Sequence, residues 1–325
     1  MKNIRGFTNK AIRLFVPTRA VLFLARLGSL YTRHAPFQFG KTAIVKGKSI
    51  FRLCSMYRLC TTATTEFGTR HKIQFPDMIQ KYIFYFGVWE PTITTFVRGS
   101  LSYGDRFVDV GANIGYYTCL ASKLVGPSGR VYAIEASPPI YEKLLENLNL
   151  NEVRNAYTLN NAVFDRETTL SVFQEGEGNI GQSSVFQSEN NKLIAKQVEA
   201  MPLHKLIDRQ ELYSARLIKI DVEGAEWFVI NGLKGHLDRF SPETEWLIEV
   251  NPAVIREHGG NINELIMLFK EAGYKIYTID NRYDVAWYIQ QRRHHTEYSI
   301  EDLLNPFPEN VSTQVDALFT KRSYS

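Results

Sequence analysis

Phe107-Val108-Asp109-Val110-Gly111-Ala112-Asn113-Ile114-Gly115-Tyr116-Tyr117-Thr118 passes from a short apolar run through an acidic residue and a glycine-punctuated turn into helix-forming sequence. Such a strand delivers the chain to the carboxyl edge of a parallel sheet, where doubly wound α/β folds bind ligands, and the glycines let the backbone turn tightly beside one. The spacing narrows the ligand. A dinucleotide fingerprint needs G-x-G-x-x-G, but Asn113 stands at the second glycine position, so Gly111 and Gly115 leave only G-x-x-x-G. A pyrophosphate would find no glycine to press against and would be repelled by Asp109, whereas a sulfonium cation bearing an amino acid is attracted to that carboxylate. The run points to S-adenosylmethionine, with Asp109, Gly111, Asn113, Gly115 and Tyr116 as candidate contacts. A nicotinamide-dependent oxidoreductase is the competing enzyme class, and Asn113 argues against it.

The next apolar run, Val131-Tyr132-Ala133-Ile134, ends in Glu135-Ala136-Ser137-Pro138. An acidic residue at the tip of the second strand, roughly 20 residues beyond the glycines, is placed to accept hydrogen bonds from ribose hydroxyls. Glu135 and Ala136 join the candidate cofactor contacts. The third strand, Ala156 to Leu159, is followed by Asn160 and Asn161; Asn161 or its neighbour has the donor and acceptor to meet an adenine edge, with turn formation as the alternative.

These two motifs, together with Ile218-Lys219-Ile220-Asp221-Val222-Glu223-Gly224-Ala225-Glu226, resemble the FkbM-type family of S-adenosylmethionine-dependent methyltransferases over about residues 82 to 322. The first two are shared by many class I methyltransferases; the third is the more specific. The resemblance implies a doubly wound, mostly parallel, seven-stranded Rossmann-like sheet and methyl transfer to a hydroxyl, often on a sugar or glycan. It also implies that the segment around Val88-Trp89-Glu90-Pro91 closes over the cofactor, so Glu90 is either a ligand contact or a helix initiator before Pro91.

The acceptor chemistry is expected where the fourth strand ends. Asp221 and Glu223 alternate there, and a neutral alcohol is a poor nucleophile that gains from a general base. Asp221 is the first candidate base and Glu223 the second; Glu226 precedes a helical stretch, Trp227 to Leu233, where an acid also stabilises a helix N-terminus. The fifth strand, Trp246 to Val250, brings Glu249 and Asn251 to the same edge. Glu249 is a further catalytic candidate, and Asp221, Glu249 and Asn251 offer oxygen ligands for magnesium (Mg), which would acidify the hydroxyl. His204, His236 and His258 are scattered and read as structural or solvated. His294-His295 after Arg292-Arg293 reads as an anion contact or a solvated turn.

The chain has 325 residues, 44% hydrophobic, which fits a methyltransferase domain over 76–325 preceded by an appendage over 1–75. Cys54, Cys60 and Cys119 lack metal-ligand spacing and read as reduced thiols of a cytoplasmic protein, in which the sequon at Asn310 would be a chance match. Charge is unevenly distributed. Twelve Lys and Arg residues precede Thr65 with no Asp or Glu among them, leaving 26 basic against 34 acidic residues in the remainder. Within that basic arm, Ala11 to Val16 and Val21 to Tyr31 are apolar stretches broken by arginines, short of the roughly 20 apolar residues a spanning helix needs. Three readings stay open: an interfacial helix on an anionic membrane surface, an N-terminal subdomain packed on the core, and a cleaved organellar presequence. A binding protein with a vestigial methyltransferase fold is the non-enzymatic alternative, although no aromatic-interleaved motif accompanies the charge and no specific nucleic acid partner is expected.

Ala35-Pro36-Phe37-Gln38-Phe39-Gly40-Lys41-Thr42 imitates a phosphate loop but lacks a preceding strand, and Ala43 to Gly47 reads as a strand and turn. Thr92 to Leu101, Pro139 to Leu150 and Ile262 to Ala272 have helical spacing. Thr168 to Phe173 and Ser183 to Phe186 read as an inserted hairpin, with Gly176, Gly178 and Gly181 making a lid-like loop. Tyr274 to Ile279 and Asp316 to Lys321 read as the last strands, the final one antiparallel, with Trp287 and Tyr288 between them forming part of the acceptor wall.

Overall fold

Four parallel strands carry the apolar runs just named: β3 (Arg106–Val110), β4 (Arg130–Ile134), β5 (Ala156–Leu159) and β10 (Leu217–Ile220), with β11 (Glu245–Val250) parallel to β10. The computed structural model describes residues 17–46, 48–174, 183–186, 193–291, 300–308 and 313–324. The basic residues Lys2, Arg5, Lys10 and Arg13, the stretch Ala11 to Val16, the lid glycines, Arg292 to His295 and Asn310 lie outside the described residues.

The chain forms two compact units. The first comprises Met1–Trp89, Glu177–Asn179 and Arg282–Arg293; the second comprises Glu90–Gly176, Ile180–Asn281 and His294–Ser325.

In the first unit, α1 (Thr18–His34) follows Pro17 and ends at Ala35, whose extended backbone is what the following Pro36 enforces. Next come α2 (Lys41–Lys46), α3 (Lys48–Met56), the antiparallel pair β1 (Cys60–Thr64) and β2 (Arg70–Gln74), and α4 (Met78–Phe86). The strand expected over Ala43 to Gly47 is instead helical through Lys46. Burial of Val45, with Ile44 against Gly28 of α1, overrides the β preference of these branched residues. Among the described residues a helix, not a strand, precedes Gly40, so the phosphate-loop imitation stays an imitation. Arg33 reaches the carbonyls of Ile83, Phe84 and Thr64, capping the C-terminal end of α4. Tyr288, on a late helix over Val285–Gln291, is fully buried against Tyr82 and Phe86, ring centroids 4.5 and 5.2 Å away. Trp287 and Tyr288 are therefore core residues of this unit and not an acceptor wall; their apolar area is removed from water.

The second unit opens with α5 (Pro91–Ser100), then β3, α6 (Tyr116–Val125), β4, α7 (Pro138–Leu150) and β5. A four-stranded sheet follows, of β6 (Ala162–Val163), β7 (Thr168–Gln174), β8 (Ser183–Ser184) and β9 (Leu193–Met201) in the order β6-β9-β7-β8. The hairpin expected here is present as β7 and β8, and β9 adds a third antiparallel partner that had no sequence reading. Short helices α8 (Leu203–Leu206) and α9 (Arg209–Tyr213) lead to β10, and α10 (Glu226–Asn231) leads to β11. Then come α11 (Pro252–Glu257), α12 (Ile262–Glu271), β12 (Lys275–Ile279), β13 (Leu304–Pro306) and β14 (Val315–Thr320).

The main sheet runs β13-β12-β14-β11-β10-β3-β4-β5. It is the doubly wound, mostly parallel, seven-stranded Rossmann-like sheet that the resemblance implies, with β14 antiparallel between β11 and β12, extended by the three-residue edge strand β13. Its core includes Val108, Val110, Ile218, Ile220, Trp246, Ile248, Phe269 and Phe319. The switch in strand order falls between β3 and β10, so the crevice opens at their carboxyl ends.

Candidate active site

Gly111 and Gly115 adopt φ of +85° and +84°, as the turn after β3 requires. A Cβ on Gly111 would lie 1.9 Å from the Asp221 carbonyl oxygen, so the loops leaving β3 and β10 touch backbone to backbone. A Cβ on Gly115 would meet Leu144 of α7 at 2.6 Å. Asn113 also has positive φ, 50°, and its N–H donates to Glu135 Oε2 at 2.9 Å, while Ser137 N–H donates to Glu135 Oε1 at 2.8 Å. Glu135, buried at the tip of β4, thus fixes the glycine turn. Burial pushes its carboxyl up to about 7, against the two backbone donors that lower it.

Asp109 is buried within β3 and accepts from Thr118 Oγ1 at 2.6 Å. Desolvation lifts it to about 6, with Lys219 pulling the other way. The register explains that neighbour: Asp109 pairs with Lys219 across β3 and β10, on the same face of the sheet. Lys219 Nζ lies 2.7 Å from Asp221 Oδ2 and 4.9 Å from the Tyr117 ring centroid. Desolvation depresses the ammonium, but Asp221, Glu90 and Asp109 outweigh it and hold its pKa above the ordinary lysine value.

Further along the same edge, Glu249 pairs in register with Asp316 across β11 and β14. Desolvation raises both, Asp316 to about 8, and the neighbouring carboxylates of Asp221 and Glu90 add to the rise. Asn281 Nδ2 donates to Asp316 Oδ2 at 3.0 Å and to Glu90 Oε1 at 3.2 Å; Tyr117 donates its hydroxyl to Glu90 Oε2 at 2.7 Å. Glu90 is buried at the N-cap of α5 with φ 44°, yet its side chain makes no cap hydrogen bond. It joins the acidic row and does not initiate the helix through its carboxylate.

The other sequence candidates fall as follows. Tyr116 pairs its hydroxyl with Thr94 Oγ1 at 3.1 Å. Ala136 and Glu135 present their carbonyls to Asn160 Nδ2, whereas Asn161 Nδ2 turns to the Glu199 carbonyl of β9 at 3.3 Å. Glu223 has φ 51°, its carbonyl accepts from Ser184 Oγ, and its charge contributes to the rise at Glu249. Glu226 Oε1 accepts from the N–H groups of Gly224 and Val222, which makes it a staple of the loop after β10. Asn251 Oδ1 caps α11 by accepting from Val254 N–H. Among the described residues, no group of three His, Cys, Asp or Glu side chains is placed to hold a metal. His204 and His236 stack on each other at 4.3 Å and His258 stacks on Phe186 at 3.8 Å, matching their structural reading. Sequence reasoning missed Lys219, Tyr117, Asn281 and Asp316 as members of the site. A lysine two residues before Asp221 in an otherwise apolar strand was the available signal.

The two ends of the sheet treat acids differently. At the amino end, Glu245 pairs with Arg216 at 2.7 Å, and Glu211 with Arg106 and Arg130 at 2.7 Å each. At the carboxyl end, Glu90, Asp109, Asp221 and Asp316 interact with Lys219, and Glu249 neighbours Asp221 and Asp316. Such a site suits a cationic ligand, and a sulfonium with an ammonium group fits it.

Residues 109–276 match the methyltransferase FkbM domain, just over half of the chain. The chain belongs to the FkbM methyltransferase family. Shorter stretches resemble protein-L-isoaspartate O-methyltransferase of Aeropyrum pernix, 49% identical over 45 residues, which is 14% of this chain and 17% of that protein. A probable cobalt-precorrin-6B C(15)-methyltransferase (decarboxylating) of Sulfolobus acidocaldarius is 36% identical over 58 residues, 18% and 30% respectively. The chain thus spans less than a third of the length of these curated relatives. Among solved structures, the FkbM methyltransferase of Methylobacillus flagellatus is 13% identical, with a TM-score of 0.42, over 86% of this chain and 60% of that one. Within this chain, the family match begins at Asp109 and takes in Glu135, Lys219, Asp221 and Glu249; Glu90 and Asp316 lie outside it.

Proposed function

We propose that this chain transfers a methyl group from S-adenosylmethionine to a hydroxyl of a sugar, glycan or related small molecule. The observation that carries this reading is the acidic row at the carboxyl ends of β3, β10 and β11 and the amino end of antiparallel β14, set beside the glycine turn and Glu135. When bound, the cofactor supplies an electrophilic methyl on a positively charged sulfur. Glu135 and the backbone from Gly111 to Gly115 would hold its ribose, and Asp109 with Glu90 would favour its positive charge.

The acceptor proton needs a base. Lys219 holds Asp221 in an ion pair at 2.7 Å, whereas burial and neighbouring carboxylates raise the proton affinity of Glu249. We therefore assign proton acceptance to Glu249 and orientation of the hydroxyl to Asp221, with Glu223 tuning Glu249 by its charge. A general base of this kind contributes about 10²–10⁴-fold. The test is S-adenosylhomocysteine release on incubation with S-adenosylmethionine and a panel of mono- and oligosaccharides, comparing wild type with Glu249→Gln. Turnover with a hydroxyl acceptor, reduced at least about 100-fold in the variant, is expected. Methylation mapped to nitrogen, or turnover untouched by the substitution, would overturn the assignment.

A further inference from the structure

Helix α1 packs its small residues and exposes its large apolar ones. Val21, Ala25, Ser29 and Thr32 are buried, Ser29 donating its hydroxyl to the Phe84 carbonyl of α4 at 2.6 Å. On the other side Phe23, Leu24, Leu27 and Leu30 are 62, 47, 46 and 55% exposed. Their spacing of three and four residues makes one continuous stripe. The stripe continues past the helix. The Tyr31 hydroxyl donates to the Phe39 carbonyl at 2.7 Å, tying the following turn to α1, and that turn exposes Phe37 and Phe39 at 67 and 89%. Six large apolar side chains thus face solvent along a helix and its adjoining turn, where isolated exposed residues would be unremarked.

The charge carried by this segment is of one sign. Arg19 and Arg26 lie on α1 and Lys41 and Lys46 on α2, and no Asp or Glu occurs in the chain before Glu66. An apolar stripe on a segment that carries cations and no acids is complementary to an anionic lipid surface, where the rings and leucines enter the acyl boundary and the cations meet headgroups. The helix does not cross: its 17 residues span about 26 Å, arginines interrupt them, and its other face is held by α4. No described helix is long and apolar enough to span a membrane. We infer that the exposed face of α1, with Phe37 and Phe39, docks in the plane of an anionic bilayer.

The test is sedimentation of the full chain with vesicles of phosphatidylcholine alone and of phosphatidylcholine with phosphatidylserine, at low and high salt. Binding to the phosphatidylserine vesicles, weakened by salt, is expected, with affinity falling about tenfold or more in the triple variant Leu24→Ser, Leu27→Ser, Leu30→Ser. Phe39→Ser, outside the helix, is a second variant expected to weaken binding with an unchanged melting temperature. The inference is overturned by absent vesicle binding, by binding that ignores both variants, or by salt-insensitive binding to neutral vesicles. It is equally overturned if light scattering shows a dimer that the serine variants dissociate while vesicles capture nothing, which would assign the face to a second copy.

Discussion

The second unit buries charge at the carboxyl edge of its sheet, where Asp109, Glu90 and Glu135 are each under 5% exposed, while the first unit leaves Phe23, Leu30, Phe37 and Phe39 more than half exposed. Each departure costs free energy in the ligand-free protein: desolvated carboxylates in one case, hydrated apolar surface in the other. On the two proposals made above, each cost would be relieved by a partner of the matching chemistry, a small cation for the acidic edge and a lipid surface for the apolar stripe. The amino end of the same sheet, where Arg216 neutralises Glu245, shows that this fold can bury acids with their counter-charges. The uneven balance at the carboxyl end belongs to the site.

The comparison is broken hardest at Lys219. Lys219→Met removes the cation that Asp221, Asp109 and Glu90 surround, and removing one partner of a buried pair costs about 3–5 kcal/mol. Urea unfolding should register that loss, and a change under 1 kcal/mol, roughly the contribution of an exposed pair, would show that the row is solvated. Gly111→Ala comes next. Its Cβ would overlap the Asp221 carbonyl, and overpacking of that order costs about 1–3 kcal/mol in addition to the positive φ. Cofactor binding should fall with it, since the β3 and β10 loops must separate.

Titration sharpens the same contrast. Asp316, Glu135 and Asp109 have folded pKa values of about 8, 7 and 6, all above their unfolded values near 4. Raised carboxyls favour the folded state most below their unfolded pKa, and that contribution is lost as pH rises through the folded values. The ligand-free protein should therefore lose melting temperature between about pH 4 and pH 8, and Asp316→Asn should make that slope shallower. A melting temperature that climbs steadily over this range in wild type would contradict the burial of the row. The smallest stability effect is expected in the first unit: Leu27→Ser on the exposed stripe should shift unfolding by no more than about 0.5 kcal/mol, against a loss of several kcal/mol if that side chain were a core residue.

Much of the fold was legible because β3, β4, β5, β10, β11 and β14 are apolar runs with polar tips, and the tips of β3, β4 and β10 carry the site. What remained hidden was assembled by register and by distance along the chain. Glu90 and Asn281 are 191 residues apart in sequence, and Asp316 reads as the start of a strand until its pairing with Glu249 is known. The three-residue β13 is too short to show a period. Ile44 and Val45 favour a strand by their own preference, but packing beneath α1 made them helical. Asn251 looked like a ligand at a strand tip and proved to be a helix cap, a role its side chain fulfils equally well.

The central claim, that the edge bounded by Asp109, Glu135 and Lys219 is a site for a sulfonium cofactor, is tested most directly by calorimetric titration of S-adenosylmethionine into wild type and Glu135→Gln. Saturable binding to wild type, weakened at least about tenfold in the variant, is predicted. A folded wild type that takes up no S-adenosylmethionine, or a variant that binds it as tightly, would contradict the account.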